Sequence, residues 1–296
     1  MIYDVIIIGL GAAGVSASIY AKRSGLNVAV INFSVPGGII NESSIVENYP
    51  GFKSISGIDL AFNFFEHFNS LDVPLFNEEV INIIDGEIKS VITRYHEYKA
   101  KRVIICSGRK PRKLGLVNEE NFMGRGISYC ALCDGNLYKD KIVAVIGGGN
   151  SALESVNYLS NLCKKVYLLV RSDKMVADKA LIDEARNKEN VEINLSTNIS
   201  ELIINEDKIT GIITNNGNCN IDGLFINIGY EPSVNILKSL DIEMDRNYII
   251  VDKNMETSIK GIYACGDIIK KDLYQLVTAV SDGAIAANHI YRTLNK

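Results

Sequence analysis

Two segments of this chain carry the same punctuated pattern, and that pattern limits the available folds more than any other feature. In "YDVIIIGLGAAG" an apolar β-type run, Val5 to Ile8, passes into Gly9, Gly11 and Gly14. An alanine-rich helical segment follows, with Gly25 placed as its stop, and then a second apolar run, "NVAVINF". Strand, glycine turn, helix and strand in that order are the context that lifts G-x-G-x-x-G above a chance match. The glycines let the backbone approach a pyrophosphate, and the helix start offers unpaired N–H groups to its charge. The bland alternative is a glycine-tolerant turn with no ligand.

The pattern recurs in "KIVAVIGGGNSALESVNYLSNLCKKVYLLV". Gly147, Gly148 and Gly149 follow a buried-type strand, Asn150 is placed to cap the next helix, and a strand runs from Val166 to Val170. Short β-like stretches, "YKAKRVIICSG", "GLFINIG" and "GIYACGD", lie around these units. The fold class implied is α/β, with two Rossmann-like dinucleotide-binding domains. With 296 residues, 47% of them hydrophobic, the chain has material for two cores. One boundary is expected near "SGRKPRKLG" and a second near "GYEPSVNILKSLD", after which the tail completes the first domain. The first domain is therefore discontinuous, residues 1–112 and 242–296, and the second spans 113–241.

A net charge of −4 argues against general nucleic-acid binding. The run "VIIIGLGAAG" is short and broken by glycines, so neither a membrane span nor a signal peptide is expected, and the chain is placed in the cytoplasm. Thiols there are kept reduced, so six cysteines do not form a structural disulfide framework. Cys106, Cys163, Cys219 and Cys265 read as packing residues. Cys130 and Cys133, in "SYCALCDG", form the one short-range pair. Such a pair ligates a metal, sits inert, or opens and closes as a disulfide. Zinc wants about four ligands. No second Cys-x-x-Cys exists, and His67, His96 and His289 are scattered, so no metal site is expected. The redox reading is favoured.

In this order, these elements resemble the low-molecular-weight thioredoxin reductases, a branch of the flavin disulfide reductases. "GLGAAG", "PGG", "VENYPGF", "CALCD", "GGGNSA", "GIYACGD" and "YQLVTAVSDGAIAA" carry the resemblance along nearly the whole chain. It implies FAD contacts at Gly9, Gly11, Ala12, Ala13, Gly14, Gly38, Asn48, Gly108, Gly266, Asp267 and Gln275, and makes the discontinuous domain the FAD domain. Three positions depart from the family. Asn32 replaces the acid that closes the first unit on the adenosine ribose, and an amide still bonds a hydroxyl. Ile39 replaces a glutamine, and Tyr274 an arginine before Gln275, where its ring is expected at the flavin edge or the mouth of the site. The resemblance also assigns Cys133 to the flavin side, Cys130 to attack on a thioredoxin disulfide, and Asp134 to acid–base work on the released thiolate. A homodimer is a family expectation.

The second unit is where a donor would be read. Asn32 lies 23 residues beyond Gly9, and the same offset from Gly147 lands on Val170. An NAD site wants an acid there, and an NADP site wants arginines just beyond. NADPH-using relatives carry His-Arg-Arg and a further arginine, where this chain has Val170, Arg171, Ser172 and Val176. Each missing charge-assisted contact forfeits about 1.5–3 kcal/mol, so two predict affinity lower by roughly a hundredfold or more, with non-additivity allowed for. NADPH is thus disfavoured, although Lys174 or Lys179 could compensate as point charges. The pattern resembles the ferredoxin-dependent flavin thioredoxin reductases. An acidic ferredoxin would want a positive patch, for which residues 109–113 and Lys270–Lys271 are candidates. Two rivals stand beside that reading: the same enzyme fed by NADPH, and a flavin-binding redox sensor that does not turn over.

Overall fold

The computed structural model describes residues 1–43 and 45–295. The chain divides into two compact units, residues 1–110 with 231–296, and residues 111–230. The second crossing thus falls at 230/231 rather than 241/242, because residues beyond 230 already feed the first unit's core. Leu237, Leu240 and Ile242 pack there against Ile6, Ile8 and Val103. The first crossing falls at 110/111, beside the expected 112/113.

The first unit is built on a mixed sheet. Strand Ile2–Ile8 lies between Val28–Ile31 and Glu97–Ile105, parallel to both. Strand Glu97–Ile105 is shared along its length. Its start pairs antiparallel with Lys89–Thr93, and its end pairs parallel with Ile262–Ala264. Burial on both faces explains the unbroken apolar run at the start of the chain. Val5 and Ile7 face one core, while Ile6 and Ile8 face the other. Helix Ala12–Arg23 ends just before Gly25, whose φ of 81° is the left-handed value a helix stop wants.

The C-terminal helix Leu276–Leu294 lies on Ala12–Arg23 in close backbone contact. A β-carbon at Gly283 would sit 2.2 Å from the Ala13 carbonyl oxygen. Small residues on both helices permit this approach, which ties the end of the chain to the first glycine turn.

The second unit holds a five-stranded parallel sheet in the order Val191–Asn194, Lys165–Leu169, Ile142–Ile146, Gly223–Ile226, Ile127–Ser128. Val143 and Val145 face one core, Ala144 and Ile146 the other. An antiparallel sheet of Ile199–Asn205, Lys208–Thr214 and Gly217–Asn220 flanks it. Helix Asn150–Ser160 opens on Gly149 as its N-cap. Asn150 therefore stands inside the helix and does not cap it. Its amide instead clamps Asp178, donating to the carboxylate at 2.8 Å and accepting the Asp178 N–H at 2.8 Å.

Candidate functional site

In the first unit, a cavity of about 420 Å³ opens at the carboxyl ends of the parallel strands. All but one of the thirteen residues expected to meet a cofactor line it: Gly9, Gly11, Ala12, Ala13, Asn32, Gly38, Asn48, Gly108, Gly266, Asp267, Tyr274 and Gln275. Gly14 does not. A β-carbon there would sit 2.0 Å from the Gly9 carbonyl oxygen. This glycine lets the helix press against the turn, a packing role in place of the expected ligand contact.

Local chemistry explains the shape of the wall. Gly9 takes φ 98°, and a β-carbon on it would meet the Cys106 carbonyl oxygen at 2.4 Å. Helix Ala12–Arg23 starts with no side-chain cap and no acid in its first turn, leaving its first N–H groups to a ligand. A β-carbon at Gly38 or Gly108 would meet no atom within 4 Å beyond its chain neighbours, so the backbone there is open. Asn32 is buried, accepts the Leu10 N–H at 3.0 Å and donates to the Ser34 carbonyl. At the other end, Asn48 donates to Gln275 Oε1 at 3.0 Å, and Gln275 caps helix Leu276–Leu294.

Sequence reasoning missed three features of this wall. Cys106 and Cys265, taken as isolated packing residues, both line the cavity from adjacent strand ends. Burial, and then contact with Cys106, push the Cys265 thiol well above its ordinary range. Arg109, taken as part of a basic patch, lines the cavity as well, bonding Asp267 at 2.6 and 3.1 Å. No periodicity marks any of these residues.

The other cations of that proposed patch are also engaged. Lys110 pairs with Glu231 at 3.3 Å, Lys113 with Glu120, Lys270 with Asp245, and Lys271 with Asp282 at 2.8 Å. Arg112 donates to the Tyr230 carbonyl oxygen at 3.1 Å.

In the second unit, Cys130 and Cys133 form a disulfide, with Cα atoms 5.4 Å apart. Cys130 caps the short helix Ala131–Asp134, and its sulfur accepts the Cys133 N–H at 3.1 Å. Buried Ser128 accepts the Cys130 N–H at 3.0 Å and donates to the Cys130 carbonyl at 3.1 Å, fixing the lead into the turn. Just before the pair, the Tyr129 hydroxyl donates to Glu119 at 2.7 Å. Asp134 is half-buried, and its carboxylate accepts no hydrogen bond among the described residues, so it is not committed elsewhere.

The second glycine turn, Gly147 to Gly149, lies beside a segment with little to offer a phosphate. Val170 is buried, Val176 is exposed, and Ser172 spends its hydroxyl on the Lys174 carbonyl at 2.7 Å. Arg171 is exposed. A 2′-phosphate finds one guanidinium here, that of Arg171, and no second one beside it.

A glycine-walled cavity in one α/β unit and a Cys-x-x-Cys disulfide in the other define a two-unit dinucleotide-binding disulfide oxidoreductase. The chain belongs to the pyridine nucleotide-disulphide oxidoreductase family, which it matches over residues 3–283. It is 39% identical to the thioredoxin reductase of Mycoplasma pneumoniae, over 97% of this chain and 93% of that one. Its fold is similar to that of the Lactococcus lactis thioredoxin reductase, with TM-score 0.89, 35% identity and 99% of both chains covered. It is also similar to a ferredoxin-flavin thioredoxin reductase from Clostridium acetobutylicum, with TM-score 0.56 and 32% identity over 99% and 98% of the two chains. Family membership implies FAD, and the open glycines and uncapped helix start fit a dinucleotide in the first unit. Among the described residues, no helix is long and apolar enough to cross a membrane.

Proposed function

We propose that the protein is a flavin-dependent thioredoxin reductase. The observation that carries this is the Cys130–Cys133 disulfide, held at a helix start with an uncommitted Asp134 one residue beyond it. Bound FAD, once reduced by the donor, would supply the two electrons that open that disulfide. The cavity residues from Gly9 to Ala13 would hold its pyrophosphate, Asn32 the adenosine side, and Asp267, Tyr274 and Gln275 the opposite end. Reduction breaks the sulfur–sulfur bond, and Asp134 delivers a proton to the thiolate that is released. Cys130 then attacks the disulfide of oxidised thioredoxin, forming a mixed disulfide and releasing one thiol. Cys133 attacks Cys130 in turn, which frees reduced thioredoxin and restores the bridge. A cytoplasmic homodimer is the assembly this reading expects.

Reduced ferredoxin is the donor this reading favours, because Val170, Ser172 and Val176 replace the groups a 2′-phosphate requires. A second reading, with NADPH as donor, is supported by the intact glycine turn at Gly147–Gly149 and by the engagement of the cations offered as a ferredoxin patch, all ion-paired except Arg112, which donates to a backbone carbonyl. Anaerobic mixing separates the two. Reduced ferredoxin bleaching the flavin while stoichiometric NADPH leaves it yellow supports the first; rapid bleaching by NADPH alone overturns it. Loss of thioredoxin reduction in Cys130→Ser supports turnover, whereas unchanged cellular function in that variant favours a flavin-binding sensor.

A further inference from the structure

We propose that Arg109 is a cofactor-positioning residue, which neutralises Asp267 and fixes its orientation in the wall of the FAD cavity. The proposal rests on the flavin reading above and adds a residue to it. Among the described residues that line the cavity, Arg109 is the one cation and Asp267 the one anion. The guanidinium grips a single carboxylate oxygen, Asp267 Oδ2, through both Nε and Nη2, at 3.1 and 2.6 Å. Its carbon lies 4.7 Å from the centre of the Tyr274 ring, a third residue of the same wall. Only about a fifth of either charged side chain is exposed, 22% and 21%, so the pair is not a solvated surface bridge.

The chemistry follows from what such a cavity must hold. A pyrophosphate-bearing cofactor is an anion, and an unpaired carboxylate in the wall would repel it. Arg109 cancels that charge while engaging one oxygen only. Asp267 Oδ1 accepts no hydrogen bond from any described residue and remains available to a cofactor hydroxyl. Tyr274 holds the guanidinium from the other side through the negative face of its ring. The arrangement is a clamp in which two of three members are fixed by the third.

Arg109→Gln tests this. The apoprotein is titrated with FAD by flavin fluorescence quenching, and the midpoint potential of the bound flavin is measured. The expected result is FAD affinity weakened about tenfold or more, with a lowered potential because a nearby cation is gone. Two second-site variants separate charge neutralisation from loss of packing. Asp267→Asn in the Arg109→Gln background removes the uncompensated charge and recovers part of the affinity. Tyr274→Arg in that background returns a guanidinium to the same corner and recovers both affinity and potential. Arg109→Gln within about twofold of wild type in affinity, at unchanged potential, overturns the assignment. So does a weakened variant that neither second-site change rescues. Failure of the wild-type apoprotein to take up FAD at all would overturn the flavin reading itself.

Discussion

Val170 lies over Gly148, with its Cγ1 atom 2.8 Å from the point that a β-carbon on that glycine would occupy. The position from which a dinucleotide turn reads the adenosine ribose is thus filled by a buried methyl group, in contact with the turn itself. The neighbouring segment is held down too, since the Val176 N–H donates to the Gly148 carbonyl at 2.8 Å. On the donor reading proposed above, discrimination against NADPH would rest on missing charge and not on a missing cradle. Ser172→Arg with Val176→Arg, both at exposed positions, is expected to strengthen the NADPH response by roughly ten- to a hundredfold, each guanidinium adding about 1.5–3 kcal/mol before non-additivity. Titration of flavin bleaching against NADPH measures it. No gain would show that the turn does not receive the nucleotide.

The disulfide predicts a thiol count. Four cysteines, Cys106, Cys163, Cys219 and Cys265, are free, and six exist in the chain. Unfolded without reductant, the protein should give four reactive thiols, and six after reduction. Cys133→Ala should give five under both conditions. A count of six in the untreated, air-exposed protein would contradict the bridge.

Native thiol reactivity and its pH dependence follow from burial. Burial pushes the Cys163 thiol up to about 11 from an ordinary 9.0, with Asp140 adding to the effect. Below about pH 9 the thiol is neutral whether folded or unfolded, and its contribution to stability is fully present. As the pH rises towards 11, the unfolded chain loses the proton first, so stability falls. Cys163→Ala should flatten the decline in melting temperature between pH 9 and 11 while lowering the plateau, because a buried side chain is truncated. An identical slope in the variant would place the decline elsewhere.

Gly14 sits where helix Ala12–Arg23 presses on the first glycine turn, so Gly14→Ala forces backbone apart. Overpacking of this kind destabilises by about 1–3 kcal/mol. The shift also displaces Gly9 and the helix start, so the purified variant should be colourless or lose FAD on dialysis. Thermal unfolding and flavin absorbance check the two effects separately. Retention of FAD at wild-type affinity would mean that the turn tolerates the move.

Glycine turns and buried strands were legible because backbone sterics leave few other solutions. Gly9, Gly25 and Gly147 each occupy a positive φ that the chain could not otherwise reach cheaply. The strand after the first helix is marked by "NVAVINF", and the structure forms it at Val28–Ile31. The Cys-x-x-Cys pair was legible because spacing alone brings its sulfurs together. Asn150 misled because cap preference is a weak signal beside a glycine that already has extended geometry. The antiparallel sheet from Ile199 to Asn220 was not identified, since its two outer strands alternate irregularly and are only partly buried. Partners distant in sequence were invisible, including Arg109 with Asp267 and Glu119 with Tyr129, because no local pattern encodes a contact between separate elements.

Glu119 anchors the segment that leads into the redox turn. This carboxylate is 2% exposed and accepts four hydrogen bonds. Three come from backbone N–H groups of Leu114, Gly115 and Leu116, at 3.0, 2.7 and 3.1 Å. The fourth is the Tyr129 hydroxyl at 2.7 Å, on the residue before Cys130. Burial first, and then this carboxylate, drive the Tyr129 hydroxyl above its ordinary range, so it stays protonated and donating at any working pH. Glu119→Ala would take the acceptor from three part-buried N–H groups and the Tyr129 hydroxyl, and should destabilise the protein by about 2–3 kcal/mol. Glu119→Gln keeps one acceptor oxygen and should lose about half as much, while Tyr129→Phe, which breaks one bond, should lose about 1 kcal/mol. Denaturant unfolding monitored separately by tyrosine and by flavin signals would resolve the losses. Equal stability in Glu119→Ala and wild type would show that water replaces the carboxylate, and that the loop is not what holds the lead into Cys130.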